Sequence, residues 1–164
     1  MLVLGIDPGL ERCGWGLVEE NNGQFKAVVY DCFFTDKVFS TSQRLKNLYE
    51  QMSQLLEKYH PEVVAMEDLF FGTNSKTAIT VGQARGVVML AIENFGTQLI
   101  SYAPLEIKMS ITGYGRADKN QIGQMVKNIL KLNSVPKPDD TADALAVALT
   151  HCLIGKMKQK IKLI

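Results

Sequence analysis

Cysteine is scarce in this chain: Cys13, Cys32 and Cys152 are the only three in 164 residues, and none forms a Cys-x-x-Cys pair. An odd, scattered set excludes a disulfide framework and carries no zinc signature. Histidine is scarcer still, with His60 and His151 alone. His60 precedes Pro61 at an expected helix end, and His151 follows Asp143 by about two helical turns, too far to share a set of ligands. Apolar runs stay well short of the ~18–20 residues that a bilayer span requires. The opening MLVLGIDPG has neither a basic segment nor a cleavable apolar core, so the expectation is a cytoplasmic protein without membrane contact. Repeats and low-complexity linkers are absent too, and the length suits one domain. We place that domain at residues 1–154, followed by a basic tail at 155–164, where Lys156, Lys158, Lys160 and Lys162 alternate and fraying is expected.

Strong net charge is also missing, since 18 Lys/Arg face 17 Asp/Glu, but the distribution is polarised. Residues 1–68 hold 6 basic and 11 acidic side chains, whereas residues 69–137 hold 8 and 3. A basic segment beside an acidic one suits a protein that grips a polyanion with Lys and Arg while gathering carboxylates around metal ions. Two unrelated solvated faces are the alternative.

Hydrophobic patterning supplies the architecture. Leu2 to Asp7 reads as a strand stopped by Pro8-Gly9, Gly14 to Val18 as a second, and Gln24 to Phe34 as a third, which makes an antiparallel meander. Leu45, Leu48, Met52, Leu55 and Leu56 form a stripe on a helix over 41–59, with Thr41 or Ser42 as N-cap. Val63 to Met66 is a buried strand ending at Glu67-Asp68. Helix 76–94, strand 98–102, a helical turn at 104–111 and helices 117–132 and 139–154 follow. Strands first, then strands alternating with helices, give an α/β fold with one mixed five-stranded sheet flanked by helices.

Carboxylates stand at three informative places on this map: Asp7 ending the first strand, Glu67 ending a later one, and Asp140 with Asp143 at a helix start. Two of these have a plain alternative, since Asp7 before Pro-Gly can open a turn and Asp139 or Asp140 can cap a helix. Glu67 is harder to dismiss, because it faces desolvation unless water, a partner or a metal attends it. Together, two strand ends at one sheet edge and an i,i+3 acid pair on one helix face bring four carboxylates to one spot. Such a cluster repels itself unless cations fill it, and an all-oxygen donor set suits Mg²⁺, with Mn²⁺ as substitute. Two such ions can hydrolyse a phosphodiester without a nucleophilic side chain, which points to a nuclease. An ATPase of the actin and sugar-kinase type also opens with a strand, an acid and a Gly-rich turn. It needs a second lobe that this length does not allow, and no P-loop is present.

The same residues carry a family resemblance. Gly5-Ile6-Asp7-Pro8-Gly9-Leu10, Cys13-Gly14-Trp15-Gly16, Glu67 with Phe70, Gly82-Gln83-Ala84-Arg85-Gly86, Gly115-Arg116-Ala117-Asp118-Lys119 and Asp140-Thr141-Ala142-Asp143-Ala144-Leu145-Ala146 resemble the RuvC Holliday-junction resolvases of the ribonuclease H-like superfamily, over roughly residues 1–153. The resemblance implies a homodimer that resolves four-way DNA junctions by symmetric, ligatable nicks with Mg²⁺, in the company of branch-migration proteins. It makes Asp7, Glu67, Asp140 and Asp143 the metal-binding acids, although Asp68 and Asp139 flank them closely. It also places Lys119 near the scissile phosphate and Lys108 in the same DNA-facing region. Phe70 becomes an aromatic that stacks on an unpaired base, with a core position beside Phe71 as the alternative. Arg116 and Lys76 are candidate phosphate contacts, against the alternative of unpartnered surface charge. Asp118 departs from a purely basic loop. The small and apolar residues of helix 76–94 suggest part of a two-fold interface, or simple burial against the sheet. A non-enzymatic scaffold of this fold would lack an acid, and all four positions are filled.

Overall fold

Side-chain alternation along the strands decides what each face of the sheet can hold. In the computed structural model, which describes residues 1–68 and 75–161 and the side chains within them except those of 75–77 and 156–161, the strands are β1 (Leu2–Asp7), β2 (Arg12–Asn21), β3 (Gln24–Phe34), β4 (Val63–Glu67) and β5 (Gln98–Tyr102). They form one sheet in the order β3-β2-β1-β4-β5. The first three run antiparallel as a meander, while β4 lies parallel to β1 and β5 parallel to β4. The expected α/β mixed sheet is thus present.

Leu4 and Ile6 of β1 and Val64 and Met66 of β4 face one way, into a core closed by Leu48, Met52, Leu55 and Leu56 of α1 (Thr41–Tyr59) and Ala84, Val88, Ala91 and Ile92 of α2 (Ser75–Phe95). Val3, Val63, Ala65, Ile100 and Tyr102 face the other way. There they meet α3 (Pro104–Thr112), α4 (Lys119–Ile129) and the Leu145–Leu149 segment of α5 (Asp139–Ile161). Period-two alternation then assigns Asp7 and Glu67 to the α5 side, because each continues the row of Val3-Gly5 or Val63-Ala65.

Helix starts are set by short polar side chains. Ser40, one residue before the expected caps Thr41 and Ser42, accepts from the Gln43 amide and completes a capping box. Asp118 does the same for α4, accepting from the Gln121 amide at 2.8 Å. This capping explains the acid in an otherwise basic loop, and it begins α4 at Lys119 rather than at 117. The far end of α4 comes early as well, because Lys131 adopts a left-handed backbone with φ 53°. α5 continues to Ile161 instead of ending at 154, since Lys, Gln and Met are good helix formers and no proline intervenes. Among the described residues, no helix is long and apolar enough to cross a membrane.

Candidate active site

β1 and β4 are adjacent and parallel, pairing Ile6 with Met66, so their C-terminal acids Asp7 and Glu67 finish at the same sheet edge. α5 is laid across this edge on a floor of glycine. A Cβ on Gly5 would collide with the Ala144 carbonyl, one on Gly14 with the Asp140 carbonyl, and one on Gly16 would lie 2.6 Å from Leu145 Cδ2. Only glycine permits that approach. It seats the first turns of α5, which carry Asp140 and, three residues on, Asp143, beside the end of β1.

The result is a cleft of about 330 Å³ walled by Asp7, Glu67, Asp143, Lys108, Lys119 and apolar residues of α3, α4 and α5. Lys119 donates from Nζ to Asp143 Oδ2 at 2.8 Å. Asp140 stands at the side of the cleft, where Arg12 Nε lies 3.2 Å from its Oδ2. That spacing is an ion-pair contact without hydrogen-bond geometry, and the buried oxygen has no hydrogen-bond donor.

Electrostatics show how strained this gathering is. Burial, then repulsion from Asp143, Glu67 and Asp140, pushes the Asp7 carboxyl up to about 7, against a smaller opposing pull from Lys119. Burial and Asp143 also raise Glu67. The hydrogen bond to Asp143 holds the Lys119 ammonium above its usual range. Carboxylates that resist ionisation together are a site that a divalent cation would complete. Their all-oxygen chemistry and the donorless Asp140 Oδ2 fit a hard ion. With Asp143 turned to Lys119 and Asp140 to Arg12, no three acids among the described residues stand together closely enough to grip one ion. Binding therefore requires those side chains to exchange their cationic partners for the metal.

The flanking acids are accounted for separately. Asp68 accepts from Arg85 Nη2 at 3.0 Å and Asp139 from Lys137 Nζ at 2.6 Å, and neither lines the cleft. Lys108 lines the cleft. Arg116 is exposed on the turn between α3 and α4 and is not part of the cleft wall. Lys76 lies in the first turn of α2, with its side chain outside the description, and Phe70 lies outside the described residues. His151 is buried, with Nδ1 2.8 Å from the Tyr102 hydroxyl, and burial lowers its pKa. His60 caps α1 in a left-handed conformation and is exposed. Neither histidine reaches the acids.

Three features escaped the sequence reading. Arg12 is separated from Asp140 by most of the chain, and no local pattern pairs them. The glycine floor looked like ordinary strand, although the glycines at 5, 14 and 16, with small Ala144 and Ala148 opposite Gly5, were its signal. Arg85, nearly alone as a charge within an apolar stretch of α2, grips the end of β4. On the outer side of α2, Ile79, Met89 and Leu90 are 64%, 42% and 54% exposed, and the positions above Gly82 and Gly86 are open.

Comparison with known proteins agrees with this geometry. The family model described as crossover junction endodeoxyribonuclease RuvC matches residues 3–151. The crossover junction endodeoxyribonuclease RuvC of Alkaliphilus oremlandii is 46% identical over 163 residues, covering 99% of both chains. That of Caldicellulosiruptor saccharolyticus is 51% identical over 154 residues, covering 93% of each. A solved structure of Thermus thermophilus RuvC in complex with Holliday junction substrate superposes with a TM-score of 0.87, at 30% identity and 96% coverage of both chains. With acids, glycine floor and full-length likeness in agreement, the chain belongs to the RuvC family of crossover junction endodeoxyribonucleases.

Proposed function

We propose that this protein resolves four-way DNA junctions by symmetric paired nicks, hydrolysing one phosphodiester in each of two strands during recombination and repair. The observation that carries this reading is the convergence of Asp7, Glu67 and Asp143 with Lys108 and Lys119 in one cleft, with Asp140 at its side. None of the cleft-lining side chains among the described residues is a hydroxyl, thiol or imidazole, and with the acids assigned to metal ions and the lysines to phosphate, the nucleophile in this reading is water. Two Mg²⁺ ions, with Mn²⁺ as substitute, would when bound activate that water and stabilise the leaving oxygen. Asp7, Glu67, Asp140 and Asp143 are the residues that would hold them. Lys119 and Lys108 meet the scissile phosphate by charge, and Lys119 can turn to it from Asp143 because its side chain is largely exposed. Lys76 and Arg116 would add phosphate contacts, and Phe70 a stacking surface for an unpaired base.

A homodimer suits the two-fold symmetry of the substrate. The exposed Ile79, Met89 and Leu90 beside Gly82 and Gly86 supply a close-approach surface for a second copy. We also assign it action in the cytoplasm in the company of branch-migration proteins, as the family resemblance implies. Incubation of a labelled four-way junction and a linear duplex of the same sequence, with Mg²⁺ or chelator, tests the proposal. Paired, ligatable nicks on the junction alone and only with metal are expected. Equal cutting of the duplex would make it a less selective nuclease, and binding without nicks in Mg²⁺ or Mn²⁺ a scaffold.

A further inference from the structure

Glu67 is the last residue of β4, and the chain leaves the sheet immediately after it. A strand terminus has few ladder bonds to hold it, and this one carries a carboxylate repelled by Asp143. Some other contact must fix its direction. Arg85 of α2 supplies three. Its Nη1 donates to the Glu67 carbonyl, and its Nη2 donates at 3.0 Å both to Asp68 Oδ1 and to Ser101 Oγ of β5. The Asp68 amide donates to the Tyr102 carbonyl at 2.8 Å, closing the bracket from the other side. The Arg85 side chain is only 13% exposed while Asp68 is 48% exposed. The guanidinium itself is therefore shielded, and its bonds to the Glu67 carbonyl and Ser101 hold it more firmly than the partly solvated pair with Asp68.

We propose that Arg85 is a positioning residue for catalysis: it ties α2 to the ends of β4 and β5 and thereby holds Glu67 in the orientation that metal binding and cleavage require. The inference rests on the reading of Glu67 as a metal-binding acid. It also gives the lone arginine of α2 a function that contact with DNA does not supply. Lysine at this position offers one compact ammonium and cannot bridge a carbonyl, a carboxylate and a hydroxyl with the same fixed geometry. Groups that orient metal ligands contribute about 10–100-fold to metal affinity or activity.

Arg85→Gln, Arg85→Lys and Asp68→Asn, compared with wild type, test this. Four quantities are measured: melting temperature, junction Kd in chelator, single-turnover cleavage of the junction in Mg²⁺, and Mn²⁺ affinity of the DNA-free protein from loss of the free-ion paramagnetic signal. Arg85→Gln is expected to cut about 100-fold slower and to bind Mn²⁺ about 10-fold more weakly, with junction Kd within about twofold of wild type. Arg85→Lys should recover part of both losses, and Asp68→Asn should show a smaller loss of the same kind. Wild-type Mn²⁺ affinity in a folded Arg85→Gln, or cleavage and junction binding falling by equal factors, overturns the proposal. Should Arg85→Gln not fold, Arg85→Lys and Asp68→Asn decide, and wild-type rates and Mn²⁺ affinity in both refute it. Failure of wild type itself to cut the junction would instead refute the proposed function.

Discussion

Gly14 lies so close beneath Asp140 that one methyl group in its place would overlap the Asp140 carbonyl oxygen. Because the obstacle is backbone, no rotamer change relieves it, and the start of α5 would have to move. Gly14→Ala is therefore expected to cost about 1–3 kcal/mol in urea denaturation and to lower cleavage more than junction binding, because Asp140 and Asp143 move with the helix. Wild-type stability and activity would show that α5 is seated by something else.

The Asp7 carboxyl makes the metal-free protein sensitive to pH. Its pKa rises from 3.8 to about 7 on folding, so between these values the folded state holds a proton that the unfolded state has lost. Stability from this group therefore declines as pH rises from about 4 to about 7, then levels off. Asp7→Asn removes the decline. Urea denaturation in chelator should find the variant gaining on wild type by about 2 kcal/mol between pH 5 and pH 8. An equal difference at both pH values would contradict the crowding of acids. Mg²⁺ should shrink the gap at pH 8, since a bound cation replaces the missing positive charge.

Lys119 holds Asp143 at 2.8 Å and opens α4, poised between the acids and the solvent side of the cleft. Lys119→Ala is expected to slow single-turnover cleavage by about 10–100-fold with a smaller change in junction Kd, because its charge matters most as the phosphate reacts. Equal losses in both would reduce it to a general phosphate contact.

His151 is spoken for by Tyr102, and its imidazole is kept neutral by burial. His151→Asn is expected to lower stability by about 1–3 kcal/mol in urea denaturation. The shape of the cleavage pH profile should stay unchanged, whereas loss of one limb would make His151 a proton carrier.

Much of the fold was legible because it rests on local patterns. β5 matches the expected Gln98–Tyr102 span, and α1 the expected 41–59, since a Leu/Met stripe at helical spacing has one economical reading. Asp7 and Glu67 could be located because each ends an apolar run, where a carboxylate has no structural reason to be buried. What stayed hidden is contact between distant segments. Asp140 meets Arg12 through the packing of α5 on β2, and Arg85 reaches Glu67 across the gap between α2 and the sheet. Asp118 stands out in the sequence only as an acid in a basic loop, and its capping of α4 comes to light through its bond to the Gln121 backbone amide.

The central claim is that four acids from three elements form one metal-dependent cutting site, and Asp7→Asn addresses it most directly, since the side chain keeps its size and loses only its charge. Single-turnover cleavage of a labelled four-way junction in Mg²⁺ should fall by about 10³-fold or more, while the variant binds the junction with wild-type Kd and melts no lower than wild type in chelator. Normal cutting by folded Asp7→Asn would contradict the account.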